Sequence, residues 1–585
     1  MADTAPARQT DAIDEWLGRF GRALASGEAA ALAPLFAEDC HWRDVVALTW
    51  TIGTVSGRAE VASALAHHAA GTGPSGFRAA RDRTAPRTVQ RAGAECVEAF
   101  FDFETRLGRG SGILRLRAGA DGEPRAWTLL TALDELKGHE ERLGSNRPTG
   151  QSHSRDFRGP NWLDQRQAEA AYAEHDPVAI VVGAGQAGLA IAARLGQLGV
   201  DTLVVERHWR VGDNWRKRYH ALTLHNQVQV NHLPYMPFPP NWPTYIPKDK
   251  LAGWFEAYAE AMELNVWTGT EFEGGEWDEA AGRWTVSLRR EDGSLRTMNP
   301  RHVVMATGVS GIPSRPEIPS LENFHGPVMH SAEYRDGEDF AGRDAIVIGT
   351  GNSGHDIAQD LHSSGARVTM VQRNPTMVVN IEPSAQLPYA LYSEGPPLED
   401  CDLIVASTPL ALARASHQTF TARSRELDRD LLAGLERAGF RLDYGEDDTG
   451  WQFKYLTRGG GYYFNVGCSD LIAAGEIGLV QWDEIEGFDE GGMTLRDGER
   501  RDADLVVLAT GYREQEWLVR RLFGDAVADR VGPVWGFGED QELRAMFRRT
   551  CQPGLWFIAG SLAQCRIYSK YLALQIKALE EGLTG

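Results

Sequence analysis

Three observations predict an α/β protein in which two Rossmann-like dinucleotide-binding domains, the second inserted into the first, follow an α+β module. Strand, glycine turn, helix and second strand occur in that order from Val178 to Arg207 and again from Ala345 to Arg373. A buried strand running into Ala-Thr-Gly also occurs twice, as HVVMATG over 302–308 and LVVLATG over 505–511. Ahead of both, residues 11–36 carry apolar positions at helical spacing, whereas 76–135 alternate as strands do.

The chain has 585 residues, enough for several cores, and a formal net charge of −21. That balance argues against nucleic acid as a partner. Cys40, Cys96, Cys401, Cys468, Cys551 and Cys565 are scattered without C-x-x-C spacing, so neither a disulfide framework nor a metal site is expected. A reducing cytoplasm fits that usage. The first thirty residues are acidic and amphipathic, and no window reaches about 18 uninterrupted apolar residues, so neither export nor a membrane span is expected.

In chain order, residues 1–140 form the module. Gly27 is a natural break between two helices, and CVEAFFDFETRL, GSGILRLRA and AWTLLTAL read as strands joined by turn residues. Asp39, His41 and Asp44 follow the helical stretch and read as a capped turn, not as an acid–base site. Residues 141–176, rich in Gly, Ser and Pro, read as a linker packed on a surface.

The first dinucleotide unit opens the domain expected over 177–335. Gly183 permits the tight turn, Gly185 lets a pyrophosphate approach the backbone, and Gly188 lets the helix pack against the strand; Gln186 and Ala187 begin the helix whose free N–H groups face the phosphates. The second strand ends at Glu206, placed to accept from a ribose hydroxyl, with Arg207 beside it. The prolines between Leu233 and Pro247 exclude regular structure until about Lys250.

The second unit lies in a domain expected over 336–504. Its turn is Gly349-Thr-Gly351-Asn352-Ser353-Gly354, and its second strand ends in Gln372-Arg373 in place of a carboxylate. A guanidinium there pairs with a 2′-phosphate that an acid would repel. The first unit therefore suits FAD and the second NADPH. Residues 376–470, aromatic and rich in small residues, read as a substrate pocket or lid, and 505–585 as the part of the chain returning to the FAD domain.

Several of these stretches carry a resemblance. Gly212 with Asn214 and Trp215 is similar to the glycine-glycine-x-tryptophan element of many flavoproteins, with the glycine pair replaced by Gly212-Asp213. Phe324, Gly326, His330 and Tyr334 match the F-x-G-x-x-x-H-x-x-x-[YF] signature of flavin-containing monooxygenases. With GAGQAG, GTGNSG, MPFP and the A-T-G-Y of Thr510 and Gly511, they make roughly the last 410 residues resemble that family, YUCCA-type enzymes above all. The module over residues 10–138 resembles the cone-shaped fold of SnoaL-like and nuclear-transport-factor-like proteins, whose sheet encloses a pocket.

The resemblance implies that NADPH reduces FAD, that a C4a-(hydro)peroxyflavin forms with O2, and that one oxygen passes to a small organic substrate. It places His225 or Asn226 over the flavin as the polar support of that species. It also puts Gly560, Ser561 and the following helix against the flavin pyrimidine. Heteroatom oxygenation, YUCCA-like oxidative decarboxylation of an aromatic 2-oxo acid and Baeyer–Villiger insertion into a ketone remain open. Tyr334-Arg335 argues for the first two, because Baeyer–Villiger signatures end differently. A disulfide reductase would need a redox-active cysteine pair beside the flavin, which the spacing does not provide. An NADPH oxidase-like or redox-sensing flavoprotein, with the module as its ligand-binding domain, is the remaining alternative. The expected partners are a small-molecule substrate and O2, and a homodimer is compatible with the sequence.

Overall fold

Helix α1 (Ala5–Ser26) forms because Ile13, Trp16, Leu17, Phe20 and Leu24 recur every three or four residues and bury one face. The structure, a computed structural model, describes residues 5–149 and 157–584; residues 150–156 of the expected linker lie outside the described residues. After Gly27, at φ +70°, come α2 (Ala29–Leu32), β1 (Phe36–Val45), β2 (Ile52–Ser56), α3 (Arg58–Thr72), β3 (Ser75–Ala79), β4 (Arg87–Arg91), β5 (Ala94–Glu104), β6 (Gly108–Ala118) and β7 (Pro124–Leu136). The seven strands form one sheet in the order β2-β1-β7-β6-β5-β3, with β4 on β5.

Between this sheet and the helices lies an aromatic core. Trp16, Phe20, Phe36, Trp42, Phe101 and Phe103 are fully buried; Trp16 stacks on Phe20 at 5.3 Å and Phe77 on Phe103 at 5.4 Å. The space that the cone resemblance assigns to a pocket is thus packed with rings. Asp39, His41 and Asp44 lie on strand β1, which corrects the capped-turn reading, and strand alternation puts Asp44 on the opposite face from Asp39 and His41. Asp44 is buried and accepts from Thr131 Oγ1 (2.5 Å), Thr49 Oγ1 (2.7 Å) and the amides of Leu48 and Thr49. Burial pushes its pKa up to about 6. His41 pairs with Ser56 Oγ at 2.7 Å, and Asp39 with Arg117 at the surface, so the three groups do not converge.

The expected linker contains a helix, α4 (Trp162–Ala171), started by an Asn161–Asp164 capping box and held where Trp267 Nε1 donates to the Ala170 carbonyl at 2.7 Å. Then follow β8 (Ala179–Val182), α5 (Gln186–Gln197), β9 (Thr202–Val205), α6 (Asp213–Arg216), α7 (Lys248–Ala261), β10 (Asn265–Trp267), an antiparallel meander of β11 (Glu271–Asp278), β12 (Arg283–Arg289) and β13 (Leu295–Met298), and β14 (His302–Met305). Val228–Val230 makes one 3-10 turn, and the proline-rich stretch after it stays irregular up to Lys248.

The next strands are β15 (Val328–His330), β16 (Asp344–Ile348), β17 (Arg367–Gln372) after helix α8 (Asn352–Ser363), and β18 (Met377–Asn380). Helices α9 (Leu398–Ala406), α10 (Leu410–Leu427), α11 (Arg429–Arg437) and α12 (Gly450–Arg458) lead to β19 (Tyr462–Asn465), which pairs with β18. Helix α13 (Cys468–Ala474), β20 (Gly478–Gln481), a hairpin sheet of β21 (Ile485–Asp489), β22 (Gly492–Leu495) and β23 (Arg500–Asp502), and β24 (Leu505–Leu508) follow. The chain continues through α14 (Gln515–Phe523), α15 (Asp525–Val531), β25 (Leu555–Phe557) and α16 (Leu562–Glu580). Among the described residues no helix is long and apolar enough to cross a membrane.

Two five-stranded parallel sheets result, β10-β9-β8-β14-β25 and β20-β17-β16-β24-β15. They have the same order about their glycine-turn strands, β8 and β16. This moves two expected boundaries. Leu505–Leu508 does not return to the first sheet but pairs with β16, and Val328–His330, placed by sequence in the first domain, forms an edge of the second sheet. The reason is steric. Each Ala-Thr-Gly tail packs on the first glycine of its own unit, so a Cβ at Gly183 would lie 2.9 Å from the Ala306 carbonyl oxygen and one at Gly349 2.3 Å from that of Ala509. What returns to the first sheet is β25.

Candidate functional site

The first cradle is built where β8 meets α5. Gly183 takes φ +105°, and a Cβ at Gly188 would lie 1.8 Å from the Gly183 carbonyl oxygen, so only glycine lets the helix approach the strand. Gly185, Gln186 and Ala187 line a cavity of about 1580 Å³. Glu206 lines it too, while its carboxylate accepts from the amides of Ala184 (2.8 Å) and His208 (2.9 Å). Arg207 reaches the Gly311 carbonyl at 3.3 Å. Asn214 and Trp215 complete this wall, and Asn214 Oδ1 and Trp215 Nε1 are buried there with no partner among the described residues. Orphaned polar atoms beside a free helix N-terminus are what a bound dinucleotide would satisfy.

The second cradle repeats the first. Gly185 and Gly351 cap their helices with φ/ψ of −80°/−173° and −81°/−174°. A Cβ at Gly354 would lie 2.1 Å from the Gly349 carbonyl oxygen, whereas one at Gly351 would meet nothing nearer than the Tyr462 carbonyl oxygen at 3.9 Å. The middle glycine therefore faces open cavity, as a pyrophosphate requires. Ser353 lines the cavity; Asn352 does too, but its Oδ1 also accepts from the Phe464 amide at 3.0 Å. Gln372 is fully buried between Arg441 and Gln481, and Arg373 beyond it is exposed, lines the cavity and makes no hydrogen bond or ion pair among the described residues.

Phe324, Gly326, His330 and Tyr334 lie behind the cavity wall. His330 Nε2 donates to the Gly511 carbonyl (3.0 Å) while Nδ1 accepts from the Ala332 amide (3.1 Å), which sets the neutral tautomer; burial lowers its pKa. Tyr334 donates to Asp360 on α8 at 2.6 Å. A Cβ at Gly326 would lie 2.4 Å from the Phe324 ring. His330 thereby ties the Thr510-Gly511 turn, which lines the cavity, to the edge strand β15 of the second sheet.

His225 and Asn226 separate. His225 lines the cavity, half-buried, with Nε2 3.9 Å from Asp356 Oδ2 and its ring edge-on to Phe464, and burial pushes its pKa down. The Asn226 amide turns behind the wall and donates to Tyr389 OH at 3.2 Å. Gly560 lines the cavity, but Ser561 sits behind it, its Oγ accepting from the Gln564 amide as the cap of α16. Sequence reasoning missed Tyr455, whose hydroxyl donates to Gln564 Oε1 at 3.2 Å, and Arg458, exposed, in the wall and without a hydrogen bond or ion pair among the described residues. The signal was the Arg458-Gly-Gly-Gly461-Tyr462 run: three glycines beside a cation, opposite Gly351.

The cavity exceeds the roughly 300–1,000 Å³ of a single small-molecule pocket and runs from one cradle to the other, which suits two dinucleotides meeting end to end. The cradles fit FAD on the Glu206 side and NADPH on the Arg373 side. All six cysteines are free, and none lies in the cavity wall among the described residues.

Residues 180–390 match a family model described as pyridine nucleotide-disulphide oxidoreductase. Indole-3-pyruvate monooxygenase YUCCA1 of Oryza sativa subsp. japonica is 34% identical over 361 residues, 61% of this chain and 82% of that protein. Indole-3-pyruvate monooxygenase YUCCA4 of the same organism is 30% identical over 364 residues, 59% and 77% of the two chains. In fold, the chain is similar to a closed crystal structure of cyclohexanone monooxygenase, with TM-score 0.51, 17% identity and coverage of 70% of this chain and 85% of that one.

Proposed function

Because the chain belongs to the flavin monooxygenase family, as an FAD- and NADPH-dependent monooxygenase, we propose that it oxidatively decarboxylates an aromatic 2-oxo acid. The observation that carries this choice over a sulfide, amine or ketone is the α12 wall. There Tyr455, with Tyr462 at the start of β19, offers aromatic surface in the same wall as Arg458, a guanidinium with no partner among the described residues. In such a reaction the bond between keto carbon and carboxylate breaks and CO2 leaves. One oxygen atom of O2 enters the shortened acid, the other leaves as water, and NADPH supplies the electron pair.

When bound, FAD and NADPH supply hydride transfer and the activation of O2. The chain's own residues bind and orient. The α5 and α8 N-termini receive the two pyrophosphates, Glu206 a ribose hydroxyl, and Arg373 the 2′-phosphate. His225, held neutral by burial, offers a hydrogen bond inside the cavity, while Asn226 supports the wall from behind. We read the N-terminal module as a SnoaL-like domain without a chemical site of its own, and six free cysteines support a cytoplasmic setting.

Turnover under labelled O2, with NADPH and a panel of aromatic 2-oxo acids, sulfides, amines and ketones, is expected to place one labelled atom in the carboxylate of an acid one carbon shorter. Label in a sulfoxide, amine oxide or ester would transfer the reading to that reaction. His225→Ala is expected to keep flavin reduction by NADPH while hydrogen peroxide released per NADPH rises about five- to tenfold, the worth of roughly one hydrogen bond. An unchanged peroxide yield would remove His225 from the site.

A further inference from the structure

The sheet face opposite the aromatic core is charged, and it is not free. Arg43, Glu98 and Arg115 lie on it, each at most 7% exposed. Arg115 is paired with Glu98 through Nε at 2.9 Å and donates through Nη2 to Ser407 Oγ at 2.8 Å. Arg43 makes a two-point pair with Glu542 (2.8 and 2.7 Å) and donates to the Ala406 carbonyl. At the other end of α9, Asp400, 3% exposed, accepts from Arg83 Nη1 at 3.0 Å and the Thr84 amide at 2.8 Å. The module therefore grips α9 at both ends.

From α9 the hydrogen bonds run on to the site. Asp402 accepts from Arg566 Nε and Nη2, both at 2.7 Å, and from Tyr392 OH at 2.9 Å. Arg566, 5% exposed, donates through Nη1 to the carbonyls of Val230 (2.8 Å) and His232 (2.9 Å). Between those two stands Asn231, 2% exposed, whose side chain donates to the Asn226 carbonyl at 2.8 Å. Asn226 directly follows His225, and its amide reaches Tyr389 on the segment that leads into α9.

We infer that Asp400 is a positioning residue through which the N-terminal module sets the loop carrying His225 and Asn226. Nearly all of the links are buried or half-buried, each acceptor is matched by a named donor, and α9 has no freedom to shift without breaking contacts at both ends. The module is thus a working support of the site wall. What the wall is used for rests on the function proposed above; whether the module sets it does not.

The test uses full-length, FAD-loaded protein and reads backbone hydrogen exchange over residues 226–232 together with hydrogen peroxide released per NADPH. Arg83→Ala removes one anchor from the Asp400 end of α9, and Ser407→Ala removes the partner of Arg115 at the other. Each is expected to speed exchange over 226–232 by about tenfold, through freer local opening, and to raise peroxide yield several-fold. Arg83→Lys is expected to restore much of both, and Arg117→Ala, on the module surface away from α9, to change neither. If Arg83→Ala does not fold, Ser407→Ala decides by the same measure. Exchange over 226–232 that stays at the unmutated rate in the folded variants, whatever happens to their melting temperature, overturns the inference. Altered exchange with no NADPH oxidation in any protein, the unmutated one included, would uphold it and sink the proposed function instead.

Discussion

Gly185→Val protein is expected to purify colourless, with less than about a tenth of the flavin of the unmutated chain, and to oxidise no NADPH. Gly185 has ordinary extended backbone angles, and a Cβ there would meet only the Asn214 side chain, whose nitrogen at 3.1 Å must give by a few tenths of an ångström. Valine is therefore tolerated by the fold but occupies the space between the helix N-terminus and a pyrophosphate. Losing two hydrogen bonds to a charged phosphate costs about 3–6 kcal/mol, at least about a hundredfold in affinity. Visible absorbance and the melting temperature of the flavin-free protein separate this from misfolding: the first should vanish and the second should hold. Gly188→Ala is the contrasting case, since its Cβ would sit 1.8 Å from a carbonyl oxygen, and soluble protein is not expected. Flavin retained by Gly185→Val would remove FAD from this cradle.

Arg373→Ala is expected to raise KM for NADPH by about ten- to a hundredfold while leaving KM for NADH and the maximal rate with either cofactor nearly unchanged. The magnitude follows from one lost contact between a guanidinium and a phosphate dianion, about 1.5–3 kcal/mol. The selectivity follows from position: Arg373 is exposed and makes no hydrogen bond or ion pair among the described residues, so its removal breaks no polar contact that NADH also needs. Steady-state kinetics with both cofactors check this, and an equal rise for NADH would show that Arg373 does not read the 2′-phosphate.

The two cradles were legible because their constraints are local. Gly183, Gly188, Gly349 and Gly354 answer to clashes within six residues or with one tail strand, and Glu206 and Arg373 end strands that begin only a few residues earlier. Which sheet Leu505–Leu508 joins was not legible, because its apolar run suits either sheet and only packing on Gly349 decides. Asn226 and Ser561 were placed in the wall by their neighbours in sequence, yet side-chain direction put them one layer behind it. The docking face escaped notice for a related reason. Arg43, Glu98 and Arg115 alternate with apolar residues along their strands just as a solvated face would, and no local signal distinguishes a charge that meets water from one that meets Glu542 or Ser407.

That charged face also bears on how the chain is made. A ribosome completes the whole module before it has begun α9, and Asp400 and Glu542 follow on the order of tens of seconds later at ordinary elongation rates. Until then Arg83 waits for Asp400 and Arg43 for Glu542, while Arg115 already holds Glu98. A greasy face left uncovered for so long would recruit other nascent chains; an ionic one is hydrated and keeps the finished module soluble until its partners arrive.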